Sequence, residues 1–112
     1  MDCIFCMIAK GDIPSTKVYE DDKILAFKDI NPMAPVHVLV IPKLHIESCD
    51  FVSADNSDYV KHIFEKIPEI TKASGLTNGY RVITNCGEDG CQSVKHLHFH
   101  ILGGTKLPEK MA

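Results

Sequence analysis

The chain has 112 residues, of which 45% are hydrophobic and 24% are charged, and its formal net charge at pH 7 is -3. This composition suits one globular domain, residues 1–112, and excludes a disordered chain. The 15 acidic residues outnumber the 12 basic residues, which do not cluster, so we expect no nucleic-acid partner. No apolar stretch approaches the roughly 18 residues of a membrane span, so we expect no membrane partner.

Cysteine usage indicates the compartment in which the protein works. The five cysteines are an odd number, and the first residues lack the basic and continuous apolar regions of a signal peptide. We therefore expect a soluble, reduced, intracellular protein in the cytoplasm, with the nucleus left open.

The first half of the chain predicts one short helix and three strands. Ile4 to Lys10 predicts the helix, since Gly11 is a common helix stop. Two apolar runs, Lys17 to Glu20 and Ile24 to Lys28, flank an acidic turn and predict a β-hairpin. Val36 to Ile41 is rich in β-branched residues and predicts a buried strand.

The second half of the chain predicts one main helix and two strands. Ser57 to Ser74 has the three- and four-residue apolar steps of an amphipathic helix, which Pro68 should kink or divide. Its predicted apolar face comprises Val60, Ile63, Phe64, Ile67, Ile70 and Ala73. Tyr80 to Thr84 and Val94 to Leu102 predict strands. The element order predicts an α+β fold with an antiparallel sheet, one main amphipathic helix and a short N-terminal helix.

Three histidines alternate with apolar residues in the last predicted strand. His96, His98 and His100 are separated by Leu97 and Phe99, so all three imidazoles should lie on one face. Their spacing along a strand is roughly 6.6 Å, which lets one phosphate group contact two of them. Imidazole is a nucleophile, a proton carrier and a metal ligand near neutral pH, although a hydrogen-bonded polar face is the alternative.

This segment resembles the signature of the histidine triad (HIT) family. The resemblance covers nearly the whole chain and includes Cys91 to Leu102, Ala26 to Pro32, Ala34 to His37 and Val40 to Lys43. Among the branches of the family, the chain is most similar to the small Hint-type nucleotide-binding hydrolases. The resemblance implies a HIT-like fold and a homodimer.

The resemblance also implies a reaction that requires no cofactor. His98 would attack the α-phosphate of a purine nucleoside phosphoramidate and form a nucleotidyl-histidine, as in an adenosine 5'-monophosphoramidase. His100 would donate a hydrogen bond to a phosphate oxygen, and Ser93 would lie near the leaving group. His37 would act as a polar relay, although a histidine between apolar neighbours is more often part of a core.

The family positions that bind the purine mononucleotide, AMP or GMP, can be transferred to this chain. They are Ile4, Phe5, Ile8, Ile13, Phe27, Lys28, Asp29, Ile30, Asn85, Cys91, Gln92, Ser93, Val94, His98 and His100. In this set the Asp29 carboxylate would accept both ribose hydroxyls, whereas its own sequence context favours an Asx turn before Asn31 and Pro32. The apolar positions are equally consistent with a core.

The pair Cys3-x-x-Cys6 has the spacing of two ligands to one tetrahedral zinc ion, but two ligands do not complete a site. The resemblance implies that His45 and His96 complete it. Four protein ligands would make the zinc structural, and two reduced cysteines are the alternative.

Two departures from the family pattern keep other functions open. Cys91 stands where the family usually has glycine, and the tail from Leu107 to Ala112 lacks the aromatic ending of Hint-type proteins. A nucleotide-binding interaction protein with incidental hydrolysis is therefore one alternative. A zinc-dependent metalloenzyme that uses the histidine cluster is the other.

Overall fold

Two α-helices and five strands occupy residues 3–110, the part of the chain that the computed structural model describes. The sheet is antiparallel and has the order β1-β2-β3-β5-β4. Within this range, no helix is long and apolar enough to cross a membrane. The elements are α1 (Ile4–Lys10), β1 (Lys17–Glu20), β2 (Ile24–Lys28), β3 (Val36–Pro42), α2 (Ser57–Ala73), β4 (Tyr80–Ile83) and β5 (Phe99–Gly103), with a short 3-10 helix at Cys49–Phe51.

The predicted α+β fold is confirmed, and the hairpin strands have the predicted bounds. Strand β3 extends one residue further than expected, and β4 ends one residue earlier. Helix α1 ends at Gly11, whose φ of 87° is left-handed and therefore suits glycine. The Gly11 amide donates to the carbonyls of Ile8 and Met7, which closes the helix.

Helix α2 corrects two details of the sequence prediction. Pro68 does not divide the helix, which runs continuously from Ser57 to Ala73. Pro68 lies on the exposed side, where the carbonyl left without its N–H partner can reach water. Phe64 was predicted on the apolar face but is 51% exposed, and its ring packs edge-to-face against Phe99 of the sheet.

The prediction of a strand from Val94 to Leu102 is wrong over its first half, because β5 begins at Phe99. Pairing between β3 and β5 stops at the pair Val40 and Phe99, and β3 itself ends at Pro42. Further upstream, the chain bonds to the segment after β3 instead, through the Leu97 amide and the Ile46 carbonyl at 2.6 Å.

The sheet separates two apolar clusters. The cluster beneath α2 comprises Ile24, Ala26, Val38, Val40, Ile46, Ile63, Ile67, Ile70, Leu76, Leu97, Phe99 and Ile101. The cluster beneath α1, on the other face, comprises Phe5, Ile8, Leu25, Phe27, Leu39 and Ile41. The residues that alternate with the histidines thus pack beneath α2, which leaves the imidazoles on the face that α1 covers.

Candidate functional site

His98 is held in one orientation by the backbone of its own segment. Its side chain is buried, and Nδ1 lies 2.7 Å from the carbonyl oxygen of His96. Because a carbonyl only accepts, Nδ1 carries the proton and Nε2 keeps its lone pair. The Thr84 hydroxyl donates to the His98 carbonyl at 2.8 Å, and the Phe5 ring packs edge-on at 5.0 Å. The role of the His96 carbonyl could not be predicted from the sequence, since every residue has a backbone carbonyl.

A chain of hydrogen bonds also assigns the protons of two further histidines. The Met33 amide donates to Nδ1 of His37 at 3.0 Å, so the His37 proton is on Nε2. This nitrogen lies 2.9 Å from Nδ1 of His100, which then accepts. The remaining proton of His100 is therefore on Nε2, where it can be donated to an anionic group.

The three imidazoles are neutral at pH 7. The pKa of His100 is lowered to about 4, chiefly by burial and also by the neighbouring His98 and His37, while Asp29 opposes the shift. Burial also lowers the pKa values of His98 and His37, again against the opposing charge of Asp29. A neutral imidazole retains the lone pair that nucleophilic attack requires.

A cavity of about 450 Å³ lies between α1, the end of β2 and the histidine segment. His98 and His100 line this cavity, whereas His37 does not, and most of the predicted nucleotide-binding residues line it as well. Its lining comprises Ile4, Phe5, Ile8, Pro14, Ser15, Thr16, Phe27, Lys28, Asp29, Ile30, Leu39, Ser93, Val94, His98 and His100. Four further lining residues were not predicted, because they belong to no motif that indicates binding or catalysis: Pro14, Ser15, Thr16 and Leu39.

Four of the predicted nucleotide-binding residues do not line this cavity. They are Ile13, Asn85, Cys91 and Gln92. Ile13 packs against the apolar cluster beneath α1. The Gln92 amide donates to the carbonyls of Glu47 and Val94, and its oxygen accepts from the Gly87 amide. Both Gln92 donor hydrogens are thus used within the protein, so this side chain braces the loop and has no donor left for phosphate.

Asp29 combines both interpretations offered by its sequence. Its Oδ1 accepts from the Asn31 amide at 2.8 Å, so the Asx turn forms. Its Oδ2 lies 3.4 Å from Nε2 of His37. Asp29 lines the cavity, and its carboxylate oxygens have lone pairs left that can accept a further hydrogen bond. Asp29, His37 and His100 also place ligand atoms within 4.8 Å of one another, but the histidine nitrogens are hydrogen-bonded to each other.

The loop before the histidine segment contains a strained residue. Cys91 has a φ of 59°, and it is the non-glycine residue with positive φ in the range 3–110. Its Cβ makes this conformation unfavourable, by about 1 kcal/mol relative to glycine. The thiol is exposed, and Cys91 adjoins the braced Gln92.

Four predicted metal ligands converge at the N-terminus of α1. The ligand atoms of Cys3, Cys6, His45 and His96 all lie within 4.8 Å of one another. The Cys3 thiol is 3.3 Å from Nδ1 of His96, the Cys6 thiol is 3.2 Å from Nδ1 of His45, and the two nitrogens are 3.2 Å apart. Tetrahedral zinc separates its nitrogen and sulfur ligands by roughly 3.3 to 3.8 Å, so this donor set fits the ion.

The positions of the protons at this cluster are consistent with metal binding. Nε2 of His96 donates to the Pro42 carbonyl at 2.8 Å, which leaves the lone pair of Nδ1 facing the two thiols. Burial lowers the pKa of His96 to about 4, so the ring is neutral. Burial and the adjacent Cys3 raise the pKa of the Cys6 thiol to about 11. Loss of that proton therefore requires the charge of a bound cation.

A sheet with α1 on one face, alternating histidines on that face and a braced loop before them make up this small α+β fold. Residues 2–111 match the family model described as "Scavenger mRNA decapping enzyme C-term binding". A histidine triad protein from Clostridium difficile is 57% identical, with a TM-score of 0.94, and the match covers 99% of this chain and 97% of that one. The chain belongs to the histidine triad family.

Two further relatives have informative names. A structure described as a HIT family hydrolase from Clostridium thermocellum is 44% identical with a TM-score of 0.95, and the match covers 99% of this chain and 97% of that one. The "14 kDa zinc-binding protein" of Zea mays is 45% identical over 106 residues, which are 93% of this chain and 83% of that protein.

Proposed function

We propose that the protein is a purine nucleoside phosphoramidase that cleaves the P–N bond at the α-phosphate. The similarity to a HIT family hydrolase supports the reaction class. In the first step, Nε2 of His98 bonds to phosphorus while the P–N bond breaks and the amine leaves with a proton. In the second step, water cleaves the nucleotidyl-histidine, which releases AMP or GMP and regenerates the imidazole.

The single observation that carries this proposal is the hydrogen bond between Nδ1 of His98 and the His96 carbonyl. It keeps the nucleophilic lone pair on Nε2, in a histidine that lines the cavity and whose pKa burial lowers. The enzyme thus holds a neutral imidazole in one tautomer before substrate arrives, which removes a reorganisation cost from the reaction.

The neighbouring polar groups suit the charge that develops on phosphate. Nε2 of His100 carries a proton, because Nδ1 accepts from His37. We propose that this N–H donates a hydrogen bond to a phosphate oxygen, and that the exposed Ser93 hydroxyl passes a proton to the departing amine and regains one from the water of the second step. His37 does not line this cavity, so we propose that it positions His100.

The apolar part of the cavity suits the nucleoside. We propose that the purine lies between Ile4, Phe5 and Ile8 on α1 and Phe27 on β2, while the carboxylate of Asp29 accepts from the ribose hydroxyls. Lys28, Ile30 and Val94 would complete this enclosure. Asn85, Cys91 and Gln92 would act through the shape of the loop instead of direct contact.

We propose that Cys3, Cys6, His45 and His96 hold a structural zinc ion. The separations of their ligand atoms and the zinc-binding name of a relative support this. Bound zinc would fix the N-terminus of α1 against the sheet and favour deprotonation of the thiols. Four protein ligands leave no position for substrate, so we assign the ion no catalytic step.

The edges of the sheet support a homodimer. Strand β4 is one edge strand, and Tyr80 at its start is 42% exposed. An exposed edge strand presents unpaired backbone groups to a second chain. We propose that the β4 strands of two copies meet.

Five free cysteines also support a reducing compartment, for which we propose the cytoplasm.

A second candidate is a nucleotide-binding protein with incidental hydrolysis. The observation that favours it is the positive φ of Cys91, which strains the loop beside Ser93. A loop held in a strained conformation would place its donors less accurately around a transition state. Binding would then survive, while turnover would be slow.

The test compares wild-type protein with His98→Ala in steady-state hydrolysis of adenosine 5'-phosphoramidate. His62→Ala is a matched control, since His62 bonds to Asp21 away from the cavity. We expect His98→Ala to lose about 1000-fold or more of kcat and His62→Ala to retain wild-type turnover. Intact-mass measurement during turnover should detect a nucleotidyl adduct on wild-type protein. AMP binding without turnover or adduct would favour the second candidate.

A further inference from the structure

Ser15 carries the one buried side-chain oxygen or nitrogen without a hydrogen-bond partner in residues 3–110. Such a hydroxyl loses its water on folding and gains no bond in return, which costs about 1 to 3 kcal/mol. Most buried polar groups in proteins have a partner. The same residue lines the cavity that we assign to the nucleotide, so its missing partner can come from a ligand.

The segment that carries Ser15 joins the two apolar walls of the cavity. On one side, the Ile13 amide bonds to the Met7 carbonyl in α1. On the other side, the Thr16 carbonyl accepts from the Lys28 amide at the end of β2. A flat base between α1 and β2 presents its faces to these walls. Its edge therefore points to the connecting segment, where Ser15 lies.

The other polar side chains of the cavity are assigned elsewhere or are exposed. We have assigned the two histidines and Ser93 to the phosphate and the departing amine, and water reaches the exposed Thr16 and Lys28. Asp29, at the end of β2, is assigned to the ribose. The purine edge opposite the ribose carries the 6-substituent, which needs a polar partner once the base leaves water. Ser15 has an uncommitted hydroxyl beside the apolar walls.

We infer that the Ser15 hydroxyl binds the 6-substituent of the purine and is the residue that reads the base. This inference rests on the proposed function. The oxygen is buried, and binding the base would require a rotation about the Cα–Cβ bond that turns it into the cavity that Ser15 lines. The unpaired state favours this rotation, because the hydroxyl gives up no bond when it leaves its buried position.

The chemistry of a hydroxyl defines the expected selectivity. It accepts a hydrogen bond from the 6-amino group of adenine and donates one to the 6-oxo group of guanine. Ser15 therefore selects purines that carry a polar 6-substituent and discriminates weakly between adenine and guanine. A purine without that substituent cannot form this hydrogen bond.

The test is a binding cycle between Ser15 and the 6-substituent. Dissociation constants are measured by calorimetry for AMP, GMP and purine riboside 5'-monophosphate, which lacks the substituent. We expect Ser15→Ala to weaken AMP and GMP about 3- to 10-fold, as for one neutral hydrogen bond. The same substitution should leave purine riboside 5'-monophosphate within about twofold, since this ligand never makes the bond.

Ser57→Ala is the matched control, because Ser57 lies at the start of α2, does not line the cavity and has no unpaired buried hydroxyl. It should change none of the three dissociation constants beyond about twofold. Ligand-free Ser15→Ala should unfold at the same temperature as wild type or higher, since it removes an unpaired polar atom.

The possible outcomes separate the two proposals. An equal effect of Ser15→Ala on all three ligands, or no effect on any, overturns the inference while nucleotide binding by wild type keeps the proposed function. A preference for the 6-substituent that is also lost in Ser57→Ala overturns it. A lower unfolding temperature would mean that the hydroxyl serves the protein itself, which counts against the inference. Wild type that binds none of the nucleotides refutes the proposed function directly.

Discussion

Nε2 of His37 lies 2.9 Å from Nδ1 of His100, and the two residues belong to the neighbouring strands β3 and β5. The Met33 amide on the far side of His37 sets the direction of this bond. One backbone N–H outside the cavity therefore determines which nitrogen of His100 carries its proton. The tautomer is built into the fold and does not depend on a substrate.

Removal of His37 should damage turnover through His100. We expect His37→Ala to lower kcat about 10- to 100-fold, the range typical of groups that orient a functional imidazole. His37→Gln should recover part of the loss, because its amide can donate from the position of Nε2, whereas His37→Asn is too short. The measurement is kcat and KM for adenosine 5'-phosphoramidate. Equal activity of the glutamine and asparagine variants would contradict a role in donating this bond.

The depressed pKa of His100 predicts a dependence of stability on pH. The pKa of this ring is about 4 in the folded protein, against 6.5 for an ordinary histidine. Between these values the unfolded chain binds a proton that the folded chain does not, so stability falls as pH decreases from 6.5 to 4. Above pH 6.5 this contribution is constant.

This pH dependence can be isolated with His100→Gln. The free energies of urea unfolding of wild type and variant are compared from pH 7.5 to 4.5. We expect the difference to shift by about 1 to 2 kcal/mol in favour of the variant, after a discount for the partly exposed ring. The residues of the metal cluster are the same in both proteins, so their contributions cancel in the difference. The nearby His37, His98 and Asp29 remain in both, and parallel curves would refute the assignment.

The strained loop residue predicts a substitution that stabilises the protein. Cys91→Gly removes the Cβ from a residue with a φ of 59°, so we expect about 1 kcal/mol of added stability. We also expect turnover at least as fast as wild type, since the loop beside Ser93 would relax. Cys91→Ala is the control, because it removes the thiol and keeps the Cβ. A similar gain in both variants would implicate the thiol instead of the backbone.

Loss of the metal ligands should affect stability more than chemistry. We expect protein purified with zinc to contain one equivalent per chain, and Cys3→Ser with Cys6→Ser to contain none. The double variant should unfold at a lower temperature, while kcat of its folded fraction stays within a few-fold. Cys49→Ser, an exposed cysteine outside the cluster, is the matched control. Full zinc content in the double variant would exclude this ligand set.

The strands and helices were predictable where one residue pattern had one physical explanation. Alternation of histidine with apolar residues placed His96, His98 and His100 on one face, and the structure keeps that face from residue 96 onward. The strand itself begins only at Phe99, because pairing with β3 stops at Val40 and the Leu97 amide bonds to the Ile46 carbonyl instead. Side-chain alternation is a local property, whereas a strand also needs a neighbour.

The details of the site were less predictable, because backbone groups create them. The bonds that set the tautomers involve the His96 carbonyl, the Pro42 carbonyl and the Met33 amide. The identity of a residue does not indicate which backbone groups its side chain will contact. Gln92 shows the converse problem, since its identity suggested a phosphate ligand while both of its donor hydrogens hold the loop. Distant segments decide what such a side chain can do.

His96 contributes to both candidate sites with different parts of the same residue. Its ring faces the thiols, whereas its backbone carbonyl orients His98. A substitution at this position removes the ring and keeps the carbonyl. The two sites can therefore diverge separately in evolution. A descendant that loses Cys3, Cys6 and the His96 ring would give up the ligand set, yet the tautomer of His98 would be inherited unchanged.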